Sequence, residues 1–192
     1  MEFLHDGLPR MNLKARWERR IVDEEPLPEP ADYAGTLGSI LARWNVCSKE
    51  YVVRQYDHEV QGGSVTKPLT GRYNDGPSDA GVVRPDPASR DGIVISHGIC
   101  PKYSRFDTYN MVACAIDEAI RNNVASGGSM KRMTLLDNFC WSDPVLSEKN
   151  PDGPYKLAQL VRANRALYDY TTLFGTPCIS GKDSMKNDYM HN

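Results

Sequence analysis

The run Thr108-Tyr109-Asn110-Met111-Val112-Ala113-Cys114-Ala115-Ile116-Asp117-Glu118-Ala119-Ile120-Arg121-Asn122-Asn123 is where the chain changes its period. Met111, Val112, Ala115, Ile116, Ala119 and Ile120 form one apolar stripe at helical spacing, with Asp107 or Thr108 as cap and Gly127-Gly128 as stop. Upstream the pattern is that of strands. Lys49 to Asp57 is rich in β-branched and aromatic residues and lacks glycine and proline, which predicts a strand. Ser64 to Lys67, Ala80 to Val83 and Gly92 to His97 read as three more, divided by the polar loop 70–79 and the turn-rich segment 85–91. Downstream, Met133 to Leu136 predicts a short buried strand ending at Asp137-Asn138. A second helix starts near Tyr155, and Pro177 to Ser180 forms a last strand. Strands in a row, then α, β, α, β, imply an α/β fold: a four-stranded mixed, largely antiparallel sheet with helices on one face.

The flanks add less. Residues 1–32 alternate charge blocks and then place Pro26, Pro28 and Pro30 at every second position, which reads as an extended linker before a domain spanning 33–192. Asp32 is placed to cap a short helix carrying Leu37, Ile40, Leu41 and Trp44, interrupted by Gly35 and Gly38. A net charge of −2 leaves no basic footprint for nucleic acid, and no apolar run reaches membrane-span length. Five cysteines without a Cys-x-x-Cys argue against a disulfide framework and a structural zinc, and fit a reducing cytoplasm.

Four groups of residues could carry chemistry. Gly175 to Ser184 imitates a phosphate-binding loop but has five residues between its glycines, and Asp183 follows Lys182 where a hydroxyl is required. Glu118 and Asn122, four apart, share a helix face. With Asp79 they would offer two carboxylates and an amide oxygen, a set suited to magnesium carrying phosphates; the same pair also suits a solvated helix face. Asp137-Asn138 and Gly181-Lys182-Asp183-Ser184 end two expected strands, where α/β sheets bind ligands, and equally suit turns. Asp57-His58-Glu59 has no chelating spacing and reads as structural.

Taken together, Tyr56-Asp57-His58-Glu59-Val60-Gln61-Gly62, Gly76 to Pro85, Leu136-Asp137-Asn138-Phe139 and Gly175 to Met185 resemble phosphoribosylformylglycinamidine synthase, of the aminoimidazole ribonucleotide synthase superfamily. The likeness runs over about residues 49–189, and His5-Asp6-Gly7-Leu8-Pro9 resembles the segment joining the two halves of that enzyme. It implies the N-terminal-type domain of the second half, whose strands pair across a dimer into a barrel. It further implies ATP or ADP and Mg2+ as cofactors: Lys49 and Ser78 on a nucleotide, Asp79, Glu118 and Asn122 on the metal. Asp137, Gly181 and Lys182 would lie near the catalytic nucleotide, Lys182 by phosphate contact, and Ser184 near substrate. No catalytic residue falls within the chain. The partners implied are the first N-terminal domain, the C-terminal domains and a glutaminase, with a homodimer expected of the isolated piece. The activity implied is ATP- and glutamine-dependent amidation in purine synthesis, with this piece inactive alone; the alternatives are a non-catalytic nucleotide-holding module and another ATP-using member of the superfamily.

Overall fold

The computed structural model describes residues 2–7 and 10–186. The ends of two resembling segments, Leu8-Pro9 and the residues after Lys186, lie outside them. The chain divides into two units: residues up to 21, 99–117 and 130 onward form one, and 22–98 with 118–129 form the other.

The second unit holds the antiparallel part of the fold. Helix α2 (Tyr33–Leu41) starts as expected, with the Asp32 carboxylate accepting from the Gly35 N–H at 3.0 Å. The strand expected at 49–57 is absent. Its place is taken by a helical turn, α3 (Glu50–Val53), because Glu50 pairs with Arg54 at i,i+4 (2.5 Å) and the Ser48 hydroxyl accepts the Glu50 N–H. β propensity records fit to a half-buried pleat, and Tyr51 and Tyr56 meet no such surface, being exposed. Strands β1 (Ser64–Thr66), β4 (Ala80–Val83) and β5 (Ile93–Ser96) make a three-stranded antiparallel sheet in the order β1-β4-β5. The expected loop between β1 and β4 contains a small hairpin, β2 (Leu69–Thr70) against β3 (Gly76–Pro77). The four-stranded meander is thus replaced by three strands and a side hairpin, and among the described residues no barrel closes.

Helix α4 (Thr108–Ala125) runs over the predicted span and passes from the first unit into the second. It buries Val112, Ile116 and Ile120 of the expected stripe and, beside them, Ala113. In the first unit, α5 (Gly153–Phe174) buries only small residues, Gly153, Ala158, Ala163 and Ala166, which lets other backbone come close. Thr108, 2% exposed, donates to the Gln159 carbonyl at 2.8 Å and side-chain oxygen at 2.7 Å, and Arg162 makes two bonds to the Asp107 carboxylate, so the first turn of α4 is tied to α5. Gly175, at φ 65°, ends α5 in the left-handed conformation, and the Thr176 N–H returns to the Thr171 carbonyl.

The last two strands are longer than expected. β6 (Leu135–Trp141) and β7 (Cys178–Met185) pair in parallel, so Asp137-Asn138 and Gly181 to Ser184 lie within strands and do not end them. Continuous ladder pairing overrides the local turn preference of Asp, Asn and Gly. Residues expected to be a plain tether also have fixed contacts: the Arg16 N–H donates to the Pro154 carbonyl, Arg20 lies over the Tyr155 ring, and Trp17 lies under Arg162.

Candidate functional site

In the second unit the strand register gathers the oxygen donors. Asp79, exposed, immediately precedes Ala80, which pairs with Ser96. The Ser96 hydroxyl donates to the Ala119 carbonyl at 2.7 Å, and the Asn122 amide donates to the carbonyl of His97 at 3.1 Å. The first residues of β4, the last of β5 and the second half of α4 therefore lie at one end of the ladder, with Asp79 next to the Ala80–Ser96 pair, Asn122 on the His97 carbonyl and Glu118 beside Ala119 in sequence. Because the nitrogen of Asn122 is engaged with His97, its side-chain oxygen is the group left to accept or to ligate. Glu118 is exposed one turn away. Hard oxygen donors of this kind fit magnesium. Among the described residues no cluster of three or more His, Cys, Asp or Glu forms a metal centre by itself.

The hairpin positions Ser78. The Ser78 N–H donates to the Pro68 carbonyl at 3.1 Å, and its hydroxyl lies 3.1 Å from that of Thr70, so the hairpin carries Ser78-Asp79 into β4. Lys49 is exposed, with its ammonium donating to the Trp44 (2.5 Å) and Cys47 (2.6 Å) carbonyls of its own loop. His58 is half-buried, its Nε2 2.8 Å from the Val53 carbonyl, a structural role as its spacing suggested.

In the first unit the register pairs Asp137 with Gly181, Asn138 with Lys182 and Cys140 with Ser184. The two motifs are thus neighbours, yet the pleat divides them. Along β6, Leu135, Asp137, Phe139 and Trp141 are covered while Leu136, Asn138 and Cys140 are exposed, so Asp137 and Gly181 share one face and Asn138, Lys182 and Ser184 the other. Gly181 makes room for Asp137: a Cβ there would stand 2.6 Å from the carboxylate oxygen. Burial first, and then the Asp137 charge, pushes the Cys178 thiol above its ordinary value. The residues that sequence reasoning missed are those acting through main-chain groups. His97 fixes Asn122 by its carbonyl, and no side-chain pattern announces that; its only signal is its place at the end of a predicted strand.

The similar proteins fall in one family. The PurL subunit of phosphoribosylformylglycinamidine synthase from Thermoplasma volcanium is 31% identical over 176 residues, which are 90% of this chain and 22% of that protein. The PurL subunit from Anaeromyxobacter dehalogenans strain 2CP-1 is 35% identical over 170 residues (86% and 20%), and that from Methanocaldococcus jannaschii 31% over 185 (96% and 22%). This chain is a PurL-related domain. It spans about a fifth of the length of the curated relatives it matches. No protein-family model matches the chain. The PurL-related fold is supported by two Thermotoga maritima structures. That of PurLQS has a TM-score of 0.57 at 22% identity, over 95% of this chain and 25% of the other; PurL complexed with ADP has 0.54 at 24%, over 90% and 25%. No helix among the described residues is long and apolar enough to cross a membrane.

Proposed function

We propose that this chain is the N-terminal-type domain of the second half of a PurL-type synthase, with residues 33–192 as the nucleotide-binding domain and 1–32 as the segment leading into it. It acts in the cytoplasm as part of an ATP- and glutamine-dependent amidation of formylglycinamide ribonucleotide. The observation that supports the reading is the closing of the β4–β5 ladder end onto α4, through Ser96 on Ala119 and Asn122 on His97, beside Asp79 and Glu118, within a chain about 31–35% identical to PurL over most of its length. A T. maritima PurL neighbour is an ADP complex, which supports nucleotide as the ligand.

In this reading Asp79 and Glu118 supply negative charge and Asn122 a neutral oxygen to one Mg2+, and the Ser78 hydroxyl donates to a phosphate. Magnesium, when bound, neutralises phosphate charge. Lys49 exchanges its two loop carbonyls for a phosphate oxygen, a stronger acceptor because it is charged. On the open face of β6–β7, Lys182 contacts phosphate and Ser184 substrate, with Asp137 and Gly181 shaping the strand beneath. The facing half of that site, the ammonia supply and the glutaminase come from the other domains and subunits, so the chain alone is inactive.

Reconstitution tests this directly. A PurL-type synthase lacking the stretch that aligns with this chain, supplied with the chain in trans, is expected to form product from ATP and glutamine, and Lys182→Ala to reduce the rate about tenfold or more, as for loss of one charged phosphate contact. A stable complex with no activity, or full activity in Lys182→Ala, contradicts the assignment.

A further inference from the structure

Arg84 closes the Gly76 to Pro85 motif, and the nucleotide site described above makes no use of it. It lines a cavity of about 210 Å3 in the second unit, floored by valines of β1, β4 and β5 and walled by Arg90, Asp91 and the Ser126-Gly127 turn after α4. Its backbone is fixed: the Arg84 N–H donates to the Gly63 carbonyl at 2.8 Å, and a Cβ at Gly63 would stand 3.0 Å from the Arg84 carbonyl oxygen. The Arg84 Nε is buried and has no hydrogen-bond partner. An arginine remains charged, and a buried donor on a charged group without an acceptor costs more than a neutral one.

The helix end nearby offers few spare acceptors. The Asn122, Val124 and Asn123 carbonyls already receive the N–H groups of Ser126, Gly127 and Gly128 at 3.2, 3.0 and 2.9 Å. The lining charges are two guanidiniums and the single carboxylate of Asp91, leaving the wall positive by one. Guanidinium forks match oxyanions, phosphate above all. The volume lies below the roughly 300–1,000 Å3 of pockets for drug-sized ligands, so it admits a phosphate group with a few waters and excludes a whole nucleotide.

We propose that the cavity between Arg84 and Arg90 binds a small tetrahedral oxyanion, either free phosphate or the phosphate of a monoester. This site is separate in its residues from the nucleotide site. It is tested without magnesium or nucleotide, so its failure leaves that reading untouched.

The experiment is a titration of the full chain with inorganic phosphate in EDTA at constant ionic strength, read by calorimetry and by thermal unfolding, with sodium acetate and glycerol 3-phosphate as parallel arms. Arg90→Ala removes an exposed side chain, and Arg84→Lys keeps the charge while losing the fork. Saturable binding and stabilisation are expected in the wild type, with affinity about tenfold weaker or worse in both variants. Equal affinity for glycerol 3-phosphate identifies a monoester site, and binding of phosphate alone a free-ion site. A rise in melting temperature that does not saturate and is the same in all three proteins is the general effect of an excluded salt and overturns the proposal. So does the absence of calorimetric binding, or acetate binding as tightly as phosphate.

Discussion

Asp137 shows how one side chain can be legible as chemistry and misplaced as geometry. Its type and its neighbour Asn138 suggested a turn at a strand end, whereas the ladder places it opposite Gly181 with its carboxylate over the glycine. That carboxylate also acts on Cys178, whose thiol is raised first by burial and then by the Asp137 charge. Removing the charge favours the thiolate, so Asp137→Asn is expected to move the midpoint of the pH–rate profile for Cys178 alkylation downward. The desolvation that raises the thiol is the larger cause and persists in the variant, so the midpoint falls only part of the way back. Following alkylation of the Cys178 peptide by mass spectrometry isolates it from the other four cysteines. An unchanged midpoint would mean that the Asp137 charge does not act on Cys178.

Among the elements, both long helices were readable in position: α4 because its apolar repeat and Gly127-Gly128 stop are written locally, and α5 from its start near Tyr155, although what it buries is Gly153, Ala158, Ala163 and Ala166 and no stripe of large apolar residues. The strands were less so. At 49–57 the composition favoured a strand, but an i,i+4 ion pair and the absence of a covering surface decided for a helical turn. For β6 and β7 the true lengths depend on each strand having the other as partner, information that no single window contains. The residues proposed for the metal were legible in type and in helix spacing, but the carbonyl of His97 that holds the Asn122 amide was not. Glycines test the account at this scale. Gly153 starts α5 against the backbone of Val145-Leu146, where a Cβ would approach to 2.6 Å. Gly153→Ala is expected to cost about 1–3 kcal/mol, lowering the melting temperature by several degrees. Gly38 lies inside α2 with nothing within 4 Å of such a Cβ, and Gly38→Ala is expected to raise stability by about 0.4–1 kcal/mol. Thermal unfolding of the two variants checks both signs.

At the scale of the whole molecule, one apolar sheet face stands exposed. The β1–β4–β5 sheet turns Ala80, Val82, Val94 and Ser96 towards α4 and leaves Ile93 and Ile95, 54% and 61% exposed, on its other face. Such a face invites a second copy. Sedimentation is expected to show a homodimer that Ile95→Lys converts to monomer; a wild-type monomer at high concentration would contradict the pairing.

Asp79, Glu118 and Asn122 are proposed to hold magnesium on a nucleotide. Equilibrium binding of ADP to the full chain, with and without Mg2+, tests it most directly. The account predicts saturable binding that requires Mg2+ and weakens about tenfold or more in both Asp79→Ala and Glu118→Gln. Binding that is indifferent to Mg2+ and to both substitutions, or no binding at all, would contradict it.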